Sequence, residues 1–210
     1  GSHGSQEIMG NFVIDDLDKL RNLNLAVNGN KADLSEYLDT SPYISGGSDI
    51  VALMVMEHQV EVQNRISRVN FESRTRIHQQ GVITELEVEA LIQPLLESLF
   101  MLNEVSLTDE VAGTSGFAEY FQSLGPEDKM GRSLREFDLQ TRIFKYPLSY
   151  LIYSEAIDAL PNAVKNVLYR RIRQILAGAT QVEIFTSLEE DDRSAIAAIL
   201  QDTKPEIFQE

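Results

Sequence analysis

Three Ser/Thr-x-x-Glu steps constrain this chain more than any other pattern: Thr84 with Glu87, Ser133 with Glu136, and Ser187 with Glu190. In such a capping box the hydroxyl accepts from a backbone N–H one turn on, and the glutamate reaches back to the cap's own N–H. Orphan donors of a helix start are thereby satisfied in pairs. Ser48 adds a fourth start as an N-cap, with Asp49 beside it to complement the positive end of the helix dipole. Stops match the starts. Gly81, Gly178 and Lys204–Pro205 each follow a helical pattern, and Pro161 suits the first turn of another. Strand-like alternation is almost absent.

These signals predict an all-α fold: one helical-bundle domain of six to seven helices, two of them long and one or two kinked at proline. The first long helix runs from Ser48 to about Gln80. The second is expected over 133–160, bent or divided in two at Pro147, and Pro94 is expected to kink the helix that Thr84 opens. A short amphipathic stretch from Phe12 to Leu25, a turn or two over 33–39 and the loop "TSPYISGGSD" precede them. The organisation reads as a tag remnant at 1–5, N-terminal short helices and loop at 6–47, and the bundle at 48–210. The Gly-, Ser- and Asp-rich 107–132 region is the best place for an internal boundary.

The chain has 210 residues, 43% of them hydrophobic and 24% charged, a globular composition able to bury a core. It contains no cysteine, which excludes disulfides, thiolate zinc sites, covalent c-type haem attachment and a thiol nucleophile within this sequence. With 18 basic and 33 acidic residues the net charge is 18 − 33 = −15. Such a surface repels phosphate backbones, so no nucleic-acid partner is expected. The longest apolar run, Ile50 to Met56, is far short of the roughly 20 residues of a membrane span, and no membrane insertion is expected.

His3 belongs to the tag remnant, which leaves His58 and His78, both on the first long helix. Twenty residues place them about 200° apart around the axis and about 30 Å apart along it, so no single metal or haem is held by both. His58 falls on the rim of a Val51, Val55, Val62, Ile66, Val69 stripe, beside an edge formed by Glu61, Arg65 and Arg76. Glu61–Arg65 has favourable i, i+4 spacing. Two readings follow. Either His58 completes a buried hydrogen bond at a salt-bridged edge, or it faces a pocket as ligand or acid/base. Paired Glu-x-x-His steps, Gly-x-Ser-x-Gly and a P-loop are all missing, and no metal site is expected.

The second dense stretch is "GRSLREFDLQTRIFKYPLSYLIYSEAIDALP". On a helix, Asp138 and Arg142 would form an i, i+4 pair, followed by a row of Tyr146, Tyr150 and Tyr153. Such a row is either core with hydroxyls at a polar rim or the wall of a pocket floored by Asp138 and Arg142. "YRRIRQIL" is the compact basic patch, expected to pair with carboxylates.

"SDIVALMVMEHQVEVQNRISRVNFESR" and "GRSLREFDLQTRIFKYPLSYLIYSEAIDALPNAVKNVLYRRI" resemble the C-terminal helical region of an uncharacterised family of bacterial secreted proteins, some with a c-type cytochrome-like part upstream. The resemblance covers about half the chain. Where that family has "YPCSY" this chain has Leu148, so a thiol role there does not carry over. It implies a periplasmic or secreted bacterial domain near electron-transfer chemistry. The expected function is a non-catalytic helical docking module, whose partner is another protein or an upstream domain of the same full-length chain. The rival expectation is a haem- or small-ligand-binding, redox-associated protein using His58 and the tyrosine-lined pocket.

Overall fold

The computed structural model describes residues 33–43, 47, 49–102, 104–180 and 182–209. The Phe12–Leu25 stretch and the Ser48 cap lie outside the described residues. The fold is all-α. Among the described residues the α-helices are α1 (Ile50–Gln80), α2 (Glu85–Leu99), α3 (Phe117–Ser123), α4 (Glu155–Asp158), α5 (Asn162–Leu176) and α6 (Glu190–Thr203). Three 3-10 turns occur at Tyr150–Tyr153, Glu183–Ser187 and Pro205–Phe208. Extended pairing is limited, among the same residues, to the isolated bridges Asp33–Gly47 and Phe137–Phe144. Two compact units are present. One takes the described residues up to Met54 with Val111–Ala118; the other takes those of Val55–Glu110 and from Glu119 onward.

In the first unit, Asp49 itself caps α1. Its Oδ1 accepts from the N–H groups of Val51 at 2.8 Å and Ala52 at 3.2 Å. Its Oδ2 accepts from Thr114 N–H and Ser115 N–H, both at 3.0 Å, and from the Ser115 hydroxyl at 2.7 Å. A Cβ at Gly113 would lie 2.9 Å from that oxygen, so glycine lets the 113–115 loop close over the carboxylate. Burial pushes the Asp49 carboxyl up, but the hydrogen bonds from Ser115, Ala52 and Thr114 outweigh it and hold the group below its ordinary value.

Along α1 the buried positions are Val51, Val55, His58, Val62, Ile66, Val69 and Ser73, spaced by three and four residues as one helical face requires. Gly81 stops the helix at φ 78, a left-handed cap conformation that glycine adopts without a Cβ penalty. The apolar start of α1 is not buried on all sides as its composition suggests: Met56 is 54% exposed and Val60 53%.

The second unit follows the capping logic at α2. Thr84 N–H donates to Glu87 Oε2 at 2.9 Å, and Glu87 N–H donates to Thr84 Oγ1 at 3.4 Å. Pro94 sits inside α2, whose buried residues are Val88, Ile92, Leu95, Leu96 and Leu99. The core lies where α2 packs on α5, and α5 packs on α6 and the Pro205–Phe208 turn. Each such Leu or Ile, fully buried, contributes about 1.5–3 kcal/mol.

The second long helix does not form. Ser133 N–H does donate to Glu136 Oε1 at 2.9 Å, half of the expected box. The chain then reverses. Asp138 accepts from Gln140 N–H and from the Thr141 hydroxyl, Leu139 takes φ 58, and Leu139 N–H donates to Arg142 O at 2.9 Å. Lys145 N–H donates to Glu136 O at 2.9 Å, closing a short hairpin. An aspartate that bonds its own backbone two residues on competes with helix, and the residue before Pro147 is biased away from helix as well. Among the described residues one helix is therefore long, at 31 residues. The Ser187–Glu190 box is also absent: the Ser187 hydroxyl donates to Ile184 O, and Glu189 stands at the α6 cap without a side-chain bond. Residues 35–38 make turns and not helix.

Candidate functional site

His58 lies inside the α1 stripe, 7% exposed, and not on its rim. Its Nδ1 is 2.7 Å from Glu104 Oε1 and its Nε2 is 2.8 Å from Ser149 Oγ. The carboxylate only accepts, so Nδ1 carries the proton, and in the neutral ring Nε2 accepts from the Ser149 hydroxyl. Ser149 Oγ in turn accepts from Leu151 N–H at 3.2 Å, capping the Tyr150–Tyr153 turn, while Ser149 N–H donates to Leu99 O at 2.7 Å. Both ring nitrogens of His58 and the Ser149 hydroxyl thus have protein partners.

Carboxylate, imidazole and hydroxyl stand in the order used by serine hydrolases. The resemblance ends at access. Ser149 is 0% exposed and its oxygen holds a turn together, so no carbonyl carbon approaches it in this conformation.

Around His58 is an aromatic cluster built by α3, the 136–145 hairpin and the 3-10 turn. Phe144 lies 5.5 Å and Tyr150 6.3 Å from the imidazole, centroid to centroid. Phe137 stacks on Phe121 and on Phe144, each at 5.3 Å, and Tyr150 meets Phe121 edge-on at 5.0 Å. Tyr150 donates its hydroxyl to Gln59 Oε1 at 3.1 Å, and burial pushes its phenol pKa up.

Arg135 rests on this cluster. Its guanidinium carbon sits 4.5 Å from the Phe121 ring centroid and 4.4 Å from that of Tyr150. Gly125 makes room for it, because a Cβ there would come 3.1 Å from Arg135 Cδ and 2.2 Å from Ser133 Oγ. Burial lowers the Arg135 pKa. Among the described residues no acceptor meets its guanidinium. Its nitrogens reach solvent, since the one buried side-chain polar atom left unpartnered among those residues is Arg142 Nε. Arg65, Arg68, Arg74, Arg76, Arg132, Arg142, Arg170, Arg171, Arg173 and Arg193 all have protein acceptors or carboxylate partners.

The other expected site residues are dispersed. Glu61 and Arg65 pair at 3.3 Å on the surface of α1, as their spacing suggested. Asp138 and Arg142 do not pair. Asp138 serves its turn, and Arg142 makes a bidentate contact to Asp192 at 2.7 and 3.0 Å because no helix aligns the two. That contact borders a cavity of about 220 Å³ that Glu104 and Pro147 also line. The tyrosines form no row, because no helix carries them. Tyr146 lies under Lys145 at 5.3 Å, and the Tyr153 hydroxyl is 2.7 Å from Thr203 Oγ1. The basic patch is committed to protein acceptors, Arg170 to Glu85 and Glu89 among them. His78 is exposed. No group of three or more His, Cys, Asp or Glu side chains able to hold a metal occurs among the described residues.

Glu104, Ser149 and Arg135 were not singled out from the sequence. Ser149 and Arg135 lie in the stretch expected to be helical, bent or divided at Pro147, and no spacing rule along such a helix points to His58 or Phe121. No family model matches the chain, and no curated protein or solved structure matches it significantly.

Proposed function

We propose that this domain is a non-catalytic helical recognition module of a bacterial extracytoplasmic protein, one that docks another protein or another part of its own full-length chain. One observation carries the reading: among the described residues the groups with the most chemistry are closed, and one cation is open. His58 spends both ring nitrogens on Glu104 and Ser149, and Ser149 is fully buried. Among the described residues, Arg135 has no protein acceptor. A haem or metal at His58 would have to displace Glu104 or Ser149, stranding a buried hydroxyl or a carboxylate at a cost of about 1–3 kcal/mol.

Two measurements test it together. Haem and divalent metals are titrated into the protein and followed by absorption, and a fluorophosphonate is used to probe for an activated serine. Flat spectra and an unlabelled Ser149 are expected. A Soret band lost in His58→Ala, or a phosphonate adduct on Ser149, would overturn the proposal.

A further inference from the structure

We infer that Arg135 is the recognition point of this domain and that it takes a carboxylate, either a small carboxylic acid or the side-chain or C-terminal carboxylate of a docked polypeptide. The inference rests on the module reading above and gives it a ligand chemistry.

The sequence has 33 acidic residues against 18 basic ones, so a solvent-reachable guanidinium readily finds a carboxylate in its own chain. The other described arginines do find acceptors; Arg135 does not. Its position is nonetheless fixed. Phe121 and Tyr150 hold the guanidinium at 4.5 and 4.4 Å, and Gly125 leaves space for its stem. Tyr150 is itself tied to Gln59 through its hydroxyl. The side-chain entropy cost of ordering an arginine is therefore met in the free protein, which is the condition under which a single ion contact yields useful affinity.

Shape and charge select the ligand. A guanidinium offers parallel N–H donors at the spacing of two carboxylate oxygens, and the rings behind it shield part of it from water, which strengthens the contact. Phosphate matches the same fork. A dianion or polyanion, however, meets the field of a chain with net charge −15, whereas a monocarboxylate meets the least repulsion for one bidentate contact. The ring faces next to the fork favour a carboxylate with an apolar or aromatic neighbour.

The test is an NMR titration of the Arg135 Nε–Hε resonance at constant ionic strength, with acetate, benzoate and inorganic phosphate as probes. Acetate and benzoate are expected to shift it saturably, benzoate binding more tightly and phosphate no tighter than acetate. In Arg135→Lys, which keeps the charge and loses the fork, carboxylate binding followed on the Gln59 side-chain amide should weaken by about tenfold. The wild-type protein gives an independent readout. Phenylglyoxal modification mapped by mass spectrometry should slow at Arg135 in acetate and stay unchanged at Arg68. A peptide with a free C-terminal carboxylate, compared with its amide, separates the two ligand sources. Binding of the acid form beyond the level of benzoate assigns a polypeptide; parity with benzoate assigns a small acid. No saturable shift together with no protection of Arg135, or tighter binding of phosphate than of acetate, overturns the inference. The module reading fails separately, by a Soret band or a labelled serine.

Discussion

His58 and Arg135 touch the same aromatic cluster from two sides and have opposite fates. Tyr150 contacts both: its ring lies 6.3 Å from the imidazole and 4.4 Å from the guanidinium carbon. Each His58 nitrogen has a protein partner, whereas the Arg135 fork has none among the described residues. A buried polar group must be satisfied or it destabilises the fold, so His58, Glu104 and Ser149 serve as internal scaffolding. A cation at the surface of the same cluster can remain unpaired at little cost while water solvates it. Chemical character alone did not separate scaffold from site; satisfaction of hydrogen bonds did.

The sharpest way to break this comparison is to delete the closed side. His58→Ala leaves a cavity in the α1 stripe and strands Ser149, and should cost about 3–4 kcal/mol in chemical denaturation. A loss below about 1 kcal/mol would mean that the histidine is not scaffolding. Asp49 is a second closed group, in the other unit, and Asp49→Ala should cost about 2–3 kcal/mol through loss of the cap and of the loop bonds. Its depressed carboxyl sets a sign for pH. The contribution is present above the unfolded value near 3.9 and lost as pH falls through the lower folded value. Asp128 behaves likewise, its burial outweighed by hydrogen bonds from Arg132 and Met130. Stability should thus be flat in its carboxylate contribution from about pH 7 to 5 and fall below about pH 4, with a shallower fall in Asp49→Asn.

Gly125→Ala lies between the two sides. The added Cβ collides with Ser133 Oγ and crowds Arg135 Cδ, so a loss of about 1–3 kcal/mol is expected together with a weaker carboxylate response. Arg135→Gln should change stability by less than about 1 kcal/mol, since it removes cation–π contacts and no ion pair. Met56→Ser, on the exposed face of α1, should stay within about 0.5 kcal/mol.

How much of this was legible in the sequence depends on the range of the interaction. The Thr84–Glu87 box, the Gly81 stop and the Pro161 and Lys204 boundaries are local, and the structure keeps them. The i, i+4 pair of Glu61 and Arg65 is local too. The 133–160 helix failed because two local signals competed. The Ser133 box opens a helix, but the Asp138 turn and Pro147 close it, and helical periodicity does not weigh one against the other. The separation of His58 from His78 follows from spacing along one helix, but the partners of His58 lie 46 and 91 residues away. No spacing rule reaches that far. Arg135 was illegible for a different reason: an unpaired arginine is defined by the absence of a neighbour, which only the folded chain reveals.

The most direct measurement is a paired chemical footprint of the native protein, diethylpyrocarbonate for histidine and phenylglyoxal for arginine, read by mass spectrometry. Exposed His78 and bidentate Arg142 serve as internal references. The account predicts that His78 is modified while His58 is spared, and that Arg135 is modified faster than Arg142. Labelling of His58 as fast as His78, or of Arg135 no faster than Arg142, would contradict it.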